Sequence, residues 1–148
     1  MKRINIYTAG NMKSISKSEA MNWRLDVQYK LLKLLTDSDI DVRFYHPPLF
    51  YNYEDQNHRT EREVKEWEIN HLKDSNIMIV NLENVNESVG THYELATADA
   101  SNQSGGNYIY VIGFGNPDQV HPWILESLFR IEPNIESAVR YIADYLIY

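Results

Sequence analysis

The chain contains no cysteine, which excludes disulfides and thiolate metal sites together. It also lacks any apolar run approaching the length needed to cross a bilayer. The start, Met1-Lys2-Arg3-Ile4, passes straight into a strand pattern rather than a signal peptide. The expectation is therefore a cytoplasmic protein with no membrane partner. Basic residues are scarce: 14 Lys and Arg stand against 21 Asp and Glu, a formal net charge of −7. Such a balance repels backbone phosphates and argues against a nucleic-acid polymer as partner, while leaving room for a pocket that holds one nucleotide. His46, His58, His71, His92 and His121 show no metal-type pairing, so neither metal nor cofactor is expected. No internal repeat is present.

What remains is an ordinary globular composition, 43% hydrophobic and 24% charged. At 148 residues, positions 1–148 form one domain with a sizeable core. Eleven tyrosines and three tryptophans suit core and subunit interfaces, or a stacking pocket.

The organising stretch is Ile77 to Ala98. Ile77-Met78-Ile79-Val80-Asn81 is a short, unalternating apolar run and reads as a strand buried on both faces. A polar loop follows, Glu83 to Ser88, and Gly90-Thr91 opens a helical segment, His92 to Ser101. Open α/β sheets place ligands beyond the carboxyl ends of their strands, in this kind of junction. Glu94 then falls in the first helical turn, where the helix dipole favours an ionised carboxylate. It is the leading candidate for chemistry.

Around this stretch, Arg3 to Thr8 reads as a first strand and Ala9-Gly10-Asn11-Met12 as a sharp turn. Gly10 would let the backbone approach a ligand or a neighbouring helix closely. Met21, Leu25, Leu32 and Leu35 form a helical stripe capped by Ser16 or Ser18 and ending near Asp37-Ser38. Asp41 to Tyr45 is a second strand, stopped by Pro47-Pro48. Leu49 to Asp55 is an aromatic, acidic loop, and Thr60 to Glu63 a capping box opening a helix. A strand over Tyr108 to Ile112, a loop over Gly113 to Pro117, and helices over Val120 to Phe129 and Ile135 to Tyr148 complete the chain. The alternation predicts a three-layer α/β sandwich with a mostly parallel sheet.

Some residues sit oddly in that pattern. Glu68 falls at the edge of the stripe Val64, Trp67, Leu72 or within it, and an unpaired carboxylate there costs several kcal/mol. Two readings stand: a pair with Arg24 or a lysine, or a group on the inward face reaching a ligand. Tyr7 reads as a core tyrosine, at a height where its hydroxyl could reach the same cleft. Ser88, Gly90 and Thr91 suit a plain helix cap, or contacts to an anion or sugar hydroxyl.

Taken together, Ile6-Tyr7-Thr8-Ala9-Gly10, Glu68-Ile69-Asn70-His71-Leu72 and Gly90-Thr91-His92-Tyr93-Glu94-Leu95-Ala96-Thr97-Ala98 resemble the nucleoside 2-deoxyribosyltransferase family. The likeness extends to the closing aromatic, Tyr148. It implies a flavodoxin-like or Rossmann-like fold and cleavage of the N-glycosidic bond of a 2′-deoxynucleoside, with transfer to an acceptor base. It further implies that Glu94 is the nucleophile, that Tyr7 orients it, and that Glu68 serves the leaving base where the family usually has aspartate. Ser88 stands where transferases tend to carry a second aspartate. In the related deoxynucleoside 5′-monophosphate N-glycosidases a serine there helps hold the phosphate. Gly10, Arg24, Gly90, Thr91, Trp123 and Tyr148 complete the expected substrate contacts. The resemblance also implies a homo-oligomer, with His121-Pro122-Trp123 close to a neighbour's site. A glutamate-dependent NAD glycohydrolase and a non-catalytic nucleotide-binding module on the same fold are the competing readings.

Overall fold

The computed structural model describes residues 2–50 and 60–147. The expected loop beyond Phe50 and the closing Tyr148 lie outside the described residues. Five strands, β1 (Lys2–Ala9), β2 (Ile40–Tyr45), β3 (Ile77–Asn81), β4 (Tyr110–Phe114) and β5 (Arg130–Glu132), form one sheet in the order β2-β1-β3-β4-β5. Every pairing is parallel, and the order is that of flavodoxin-like folds. The helices are α1 (Lys17–Leu34), α2 (Pro47–Phe50), α3 (Glu61–Lys73), α4 (Val89–Gln103), α5 (Pro122–Glu126) and α6 (Ile135–Tyr141).

The layering follows from side-chain alternation on the central strands. On one face Ile4, Ile6, Ile77, Ile79 and Ile112 meet Val27 and Leu31 of α1 and Val139 of α6. On the other, Tyr7, Ala9, Met78, Val80 and Val111 meet Leu72 of α3, Leu95 and Ala98 of α4, and Ile124 of α5. Both faces of β3 are thus covered, as its sequence predicts. Among the described residues no helix is long and apolar enough to cross a membrane.

Local signals explain where helices begin. Ser16 Oγ accepts from Glu19 N at 3.1 Å. Thr60 Oγ1 accepts from Glu63 N at 3.2 Å while Glu63 Oε2 accepts from Thr60 N at 2.9 Å, a complete capping box.

Elsewhere local and tertiary contacts shift the boundaries. α1 ends at Leu34, short of Asp37-Ser38, and the Thr36 and Ser38 hydroxyls bond back to its last carbonyls. Pro47-Pro48 does stop β2, yet Pro47–Phe50 forms a helical turn rather than loop, since proline suits a first helical position. β4 starts at Tyr110, two residues later than expected, because the Asn102 amide captures both backbone groups of Ile109 at 2.7 and 2.8 Å. Gly113 joins the strand, paired with Val80 across the ladder, and its missing Cβ leaves room for the Leu128 and Leu82 side chains, whose ends would lie 2.9 and 3.3 Å from one. The expected Val120–Phe129 helix shrinks to α5, as Phe129 N donates to Val111 O at 2.8 Å and draws the chain into β5. The last helix is α-helical only to Tyr141, and Ile142–Leu146 winds on as a π-helical turn.

Candidate active site

The strand order reverses between β1 and β3, and a cavity of about 300 Å³ opens beside their carboxyl ends. Its walls bring together Gly10, Arg24, Glu68, Ser88, Gly90, Thr91 and Glu94. Gly10 packs tightly: an added Cβ would lie 3.0 Å from Trp23 Cζ2 and 3.3 Å from Asn81 Cβ. Close approach to the α1 side chain Trp23 goes together with a place on the cavity wall. Gly90 faces open space, with nothing within 4 Å of an added Cβ.

Glu94 is buried at the base, and the wholly buried Tyr7 hydroxyl donates a hydrogen bond to its Oε2. α4 begins at Val89 rather than His92, so Glu94 lies in the second turn, beyond the reach of the dipole's first-turn charge. Burial governs it instead. Desolvation raises the carboxyl from 4.5 to about 8, with the Tyr7 hydrogen bond opposing, the Glu68 charge adding and Arg24 opposing. The expectation of a carboxylate held ionised is therefore overturned for the free protein, where Glu94 carries a proton at neutral pH. The Tyr7 hydroxyl is pushed well above its usual range by burial and by Glu94 and Glu68, and stays a donor.

Glu68, on α3, is half-buried on the same cavity. Desolvation lifts it to about 7, while Arg24 pulls it down and Glu61 adds a smaller upward push. The influence of the Arg24 charge and a place in the cleft are both part of its environment. Arg24 is wholly buried, with Nη1 donating to Ala20 O and its guanidinium 4.5 Å from the Trp23 ring centre.

Ser88 precedes α4, yet its hydroxyl makes no capping bond. It pairs with Thr91 Oγ1 at 2.7 Å, and the first N–H groups of the helix have no intrahelical acceptor. Lys13, which the sequence did not single out, also lines this cavity and is exposed. It sits in an aperiodic loop after β1, and periodicity gave no reason to choose it. Behind the site, His46 bridges Thr8 Oγ1 at 2.8 Å and Gln28 Oε1 at 2.7 Å. Burial and Arg24 push it down to about 4, so it is neutral. Trp123 lies elsewhere, 82% exposed, in a groove between α4 and α5 that it shares with His92 and His121. Among the described residues no group of three or more His, Asp or Glu converges as a metal site would.

No family model matches the chain and no curated protein matches it. Its fold is shared with solved structures over nearly its full length. A conserved protein from Enterococcus faecalis V583 aligns at TM-score 0.68 and 13% identity, covering 95% of this chain and 97% of that one. A 2-deoxyribosyltransferase from Bacillus psychrosaccharolyticus aligns at TM-score 0.59 and 20% identity, covering 96% and 93%. A CMP N-glycosidase from Clostridium botulinum aligns at TM-score 0.53 and 14% identity, covering 95% and 99%. At such identities the likeness establishes the fold: a three-layer, flavodoxin-like α/β domain of the kind used by these enzymes.

Proposed function

We propose that this protein cleaves the N-glycosidic bond of a 2′-deoxynucleoside and transfers the deoxyribosyl group to another nucleobase through a covalent intermediate on Glu94. The observation that carries this reading is the buried Tyr7–Glu94 hydrogen bond at the floor of a cavity that also holds Glu68. The folds shared with a 2-deoxyribosyltransferase and a CMP N-glycosidase support the same chemistry. In the first step the Glu94 carboxylate, its proton passed to Glu68, attacks C1′ as the C1′–N bond breaks, and Glu68 gives that proton to the departing base. In the second, an acceptor base or water attacks C1′ from the face opposite Glu94, Glu68 takes the proton it sheds, and the ester to Glu94 breaks, so configuration is retained. Tyr7 holds one carboxylate oxygen and leaves the other to react. A Glu68 raised to about 7 is an acid suited to neutral pH.

A second reading, hydrolysis of a nucleoside 5′-monophosphate, is favoured by Lys13 and by the Ser88–Thr91 hydroxyl pair on the same cavity. Either substrate is tested by incubating the protein with a panel of deoxynucleosides and their monophosphates, with and without an acceptor base. A new nucleoside means transfer; free base and sugar phosphate mean hydrolysis. An intact bound ligand after hours would overturn both and leave a binding module, and nicotinamide released from NAD would favour the glycohydrolase.

Gly90 offers a clean probe. Alanine fits the open space there and is favoured over glycine in a helix by about 0.5–1 kcal/mol. Gly90→Ala should therefore hold or raise Tm while raising KM several-fold; an unchanged KM removes Gly90 from the substrate contacts.

The groove carrying Trp123, together with Val89 at 79% and Tyr93 at 50% exposure on α4, supports assembly with a second copy that covers this side. Light scattering at micromolar concentration should give a dimer or larger. A fully active monomer would contradict it.

A further inference from the structure

We propose that β5 is a contact edge for a second copy of this chain, the two strands pairing antiparallel about Ile131 and joining their sheets. The proposal rests neither on the glycosyl chemistry nor on the Trp123 groove, which lies between α4 and α5. β5 ends the sheet and, among the described strands, pairs with β4 alone. Its register sets Ile131 opposite Gly113, and Glu132 O accepts from Gly115 N at 3.0 Å. Peptide groups alternate between the two sides of a strand, so those of Ile131 point away from β4. Such an edge is a template for a further strand.

The order of charges on the edge defines its occupant. In an antiparallel pair centred on Ile131, each residue meets the one equally far from the centre on the other chain. Ile131 meets its own copy, Arg130 meets the partner's Glu132, and Phe129 meets the partner's Pro133. Arg130 and Glu132 share one face of β5, where Arg130 Nε donates to Glu132 Oε1 at 2.8 Å. Across the twofold axis the two ion pairs close into a ring of alternating sign. A parallel copy in register would set like against like and be repelled. Charges often guard an edge strand against association; in this order they reject a parallel copy and suit an antiparallel one.

Apolar surface alongside supplies what three residues of ladder cannot. Phe129 and Ile131 are exposed on the edge, as are Tyr108 just before β4 and Tyr145 beyond α6. Ring contacts make this surface continuous. Tyr108 lies 4.8 Å from Tyr110, and Tyr110 lies 5.1 Å from Phe129. The Arg130 guanidinium stands 4.3 Å from the Tyr141 ring centre, and Tyr141 lies 5.2 Å from Tyr145. Aromatic residues and arginine are the types enriched at protein interfaces.

The test reverses one charge at a time. Arg130→Glu leaves both edge charges negative, and Glu132→Arg leaves both positive. Each variant alone meets its own copy with two like-charge pairs, and association should weaken by about a hundredfold or more. Mixed one to one, the two variants are complementary across the axis again, and the assembly should recover the wild-type mass. Light scattering at micromolar concentration reads the mass, while circular dichroism and Tm establish that each variant is folded. If the two residues only pair within their own strand, both variants lose Tm and mixing restores nothing. A wild-type monomer, single variants of wild-type mass, or folded variants that recover no mass on mixing would each overturn the proposal.

Discussion

Glu94→Gln is expected to abolish turnover and at the same time to stabilise the fold at alkaline pH. Loss of the nucleophile should cost on the order of 10⁴-fold or more in kcat, the scale seen when a covalent catalyst is removed. The stability effect follows from burial. The Glu94 carboxyl titrates at 4.5 when unburied and at about 8 in the folded protein. Between those values the unfolded chain has released the proton and the folded one retains it. The folded state then binds more protons, so wild-type stability falls as pH rises through that window. Glutamine does not titrate and escapes the loss. The advantage of Glu94→Gln should be small near pH 4.5 and grow to at most ~5 kcal/mol above pH 8. Denaturation at acidic and alkaline pH reads it directly. An equal Tm difference at both ends would mean that Glu94 titrates normally and is not desolvated.

Ser88→Asp is expected to separate the two substrate classes. A carboxylate about 4 Å from a phosphate is repelled by roughly 4 kcal/mol at an effective dielectric near 20. That is nearly three orders of magnitude in affinity. The kcat/KM for a 5′-monophosphate should collapse by about that factor, and that for the nucleoside should change far less. The change also disrupts the buried Ser88–Thr91 hydroxyl pair, so Tm is measured alongside to separate a loss of stability from the selective loss of one substrate. Equal effects on both substrates would mean that Ser88 faces the sugar or is only a helix cap.

Much of this was legible in the chain itself. Ile77–Asn81 is buried on both faces, as its unbroken apolar run indicates, and the Thr60 capping box and Ser16 cap set helix starts where expected. Glu68 stood out as a carboxylate on an apolar stripe, and it does line the cavity. What was not legible depends on partners distant in sequence. The start of β4 is set by the Asn102 side chain, and β5 by a backbone bond from Phe129 to Val111. Lys13 reaches the site through the fold rather than through any pattern of its own. The raised carboxyl of Glu94 is hidden from the sequence for a related reason. Its sequence position suggested a helix dipole, whereas the packing of α4 against the sheet supplies the stronger influence, desolvation.

The central claim, that Glu94 forms a covalent bond to the sugar, is tested most directly with a 2′-deoxy-2′-fluoro nucleoside. The fluorine destabilises the oxocarbenium-like transition state and slows release of the intermediate. Intact-protein mass spectrometry should show the protein enlarged by one fluorosugar unit. Peptide mapping should place that unit on Glu94, and Glu94→Gln should remain unlabelled. Base release without any adduct, or an adduct on Glu68, would contradict the assignment.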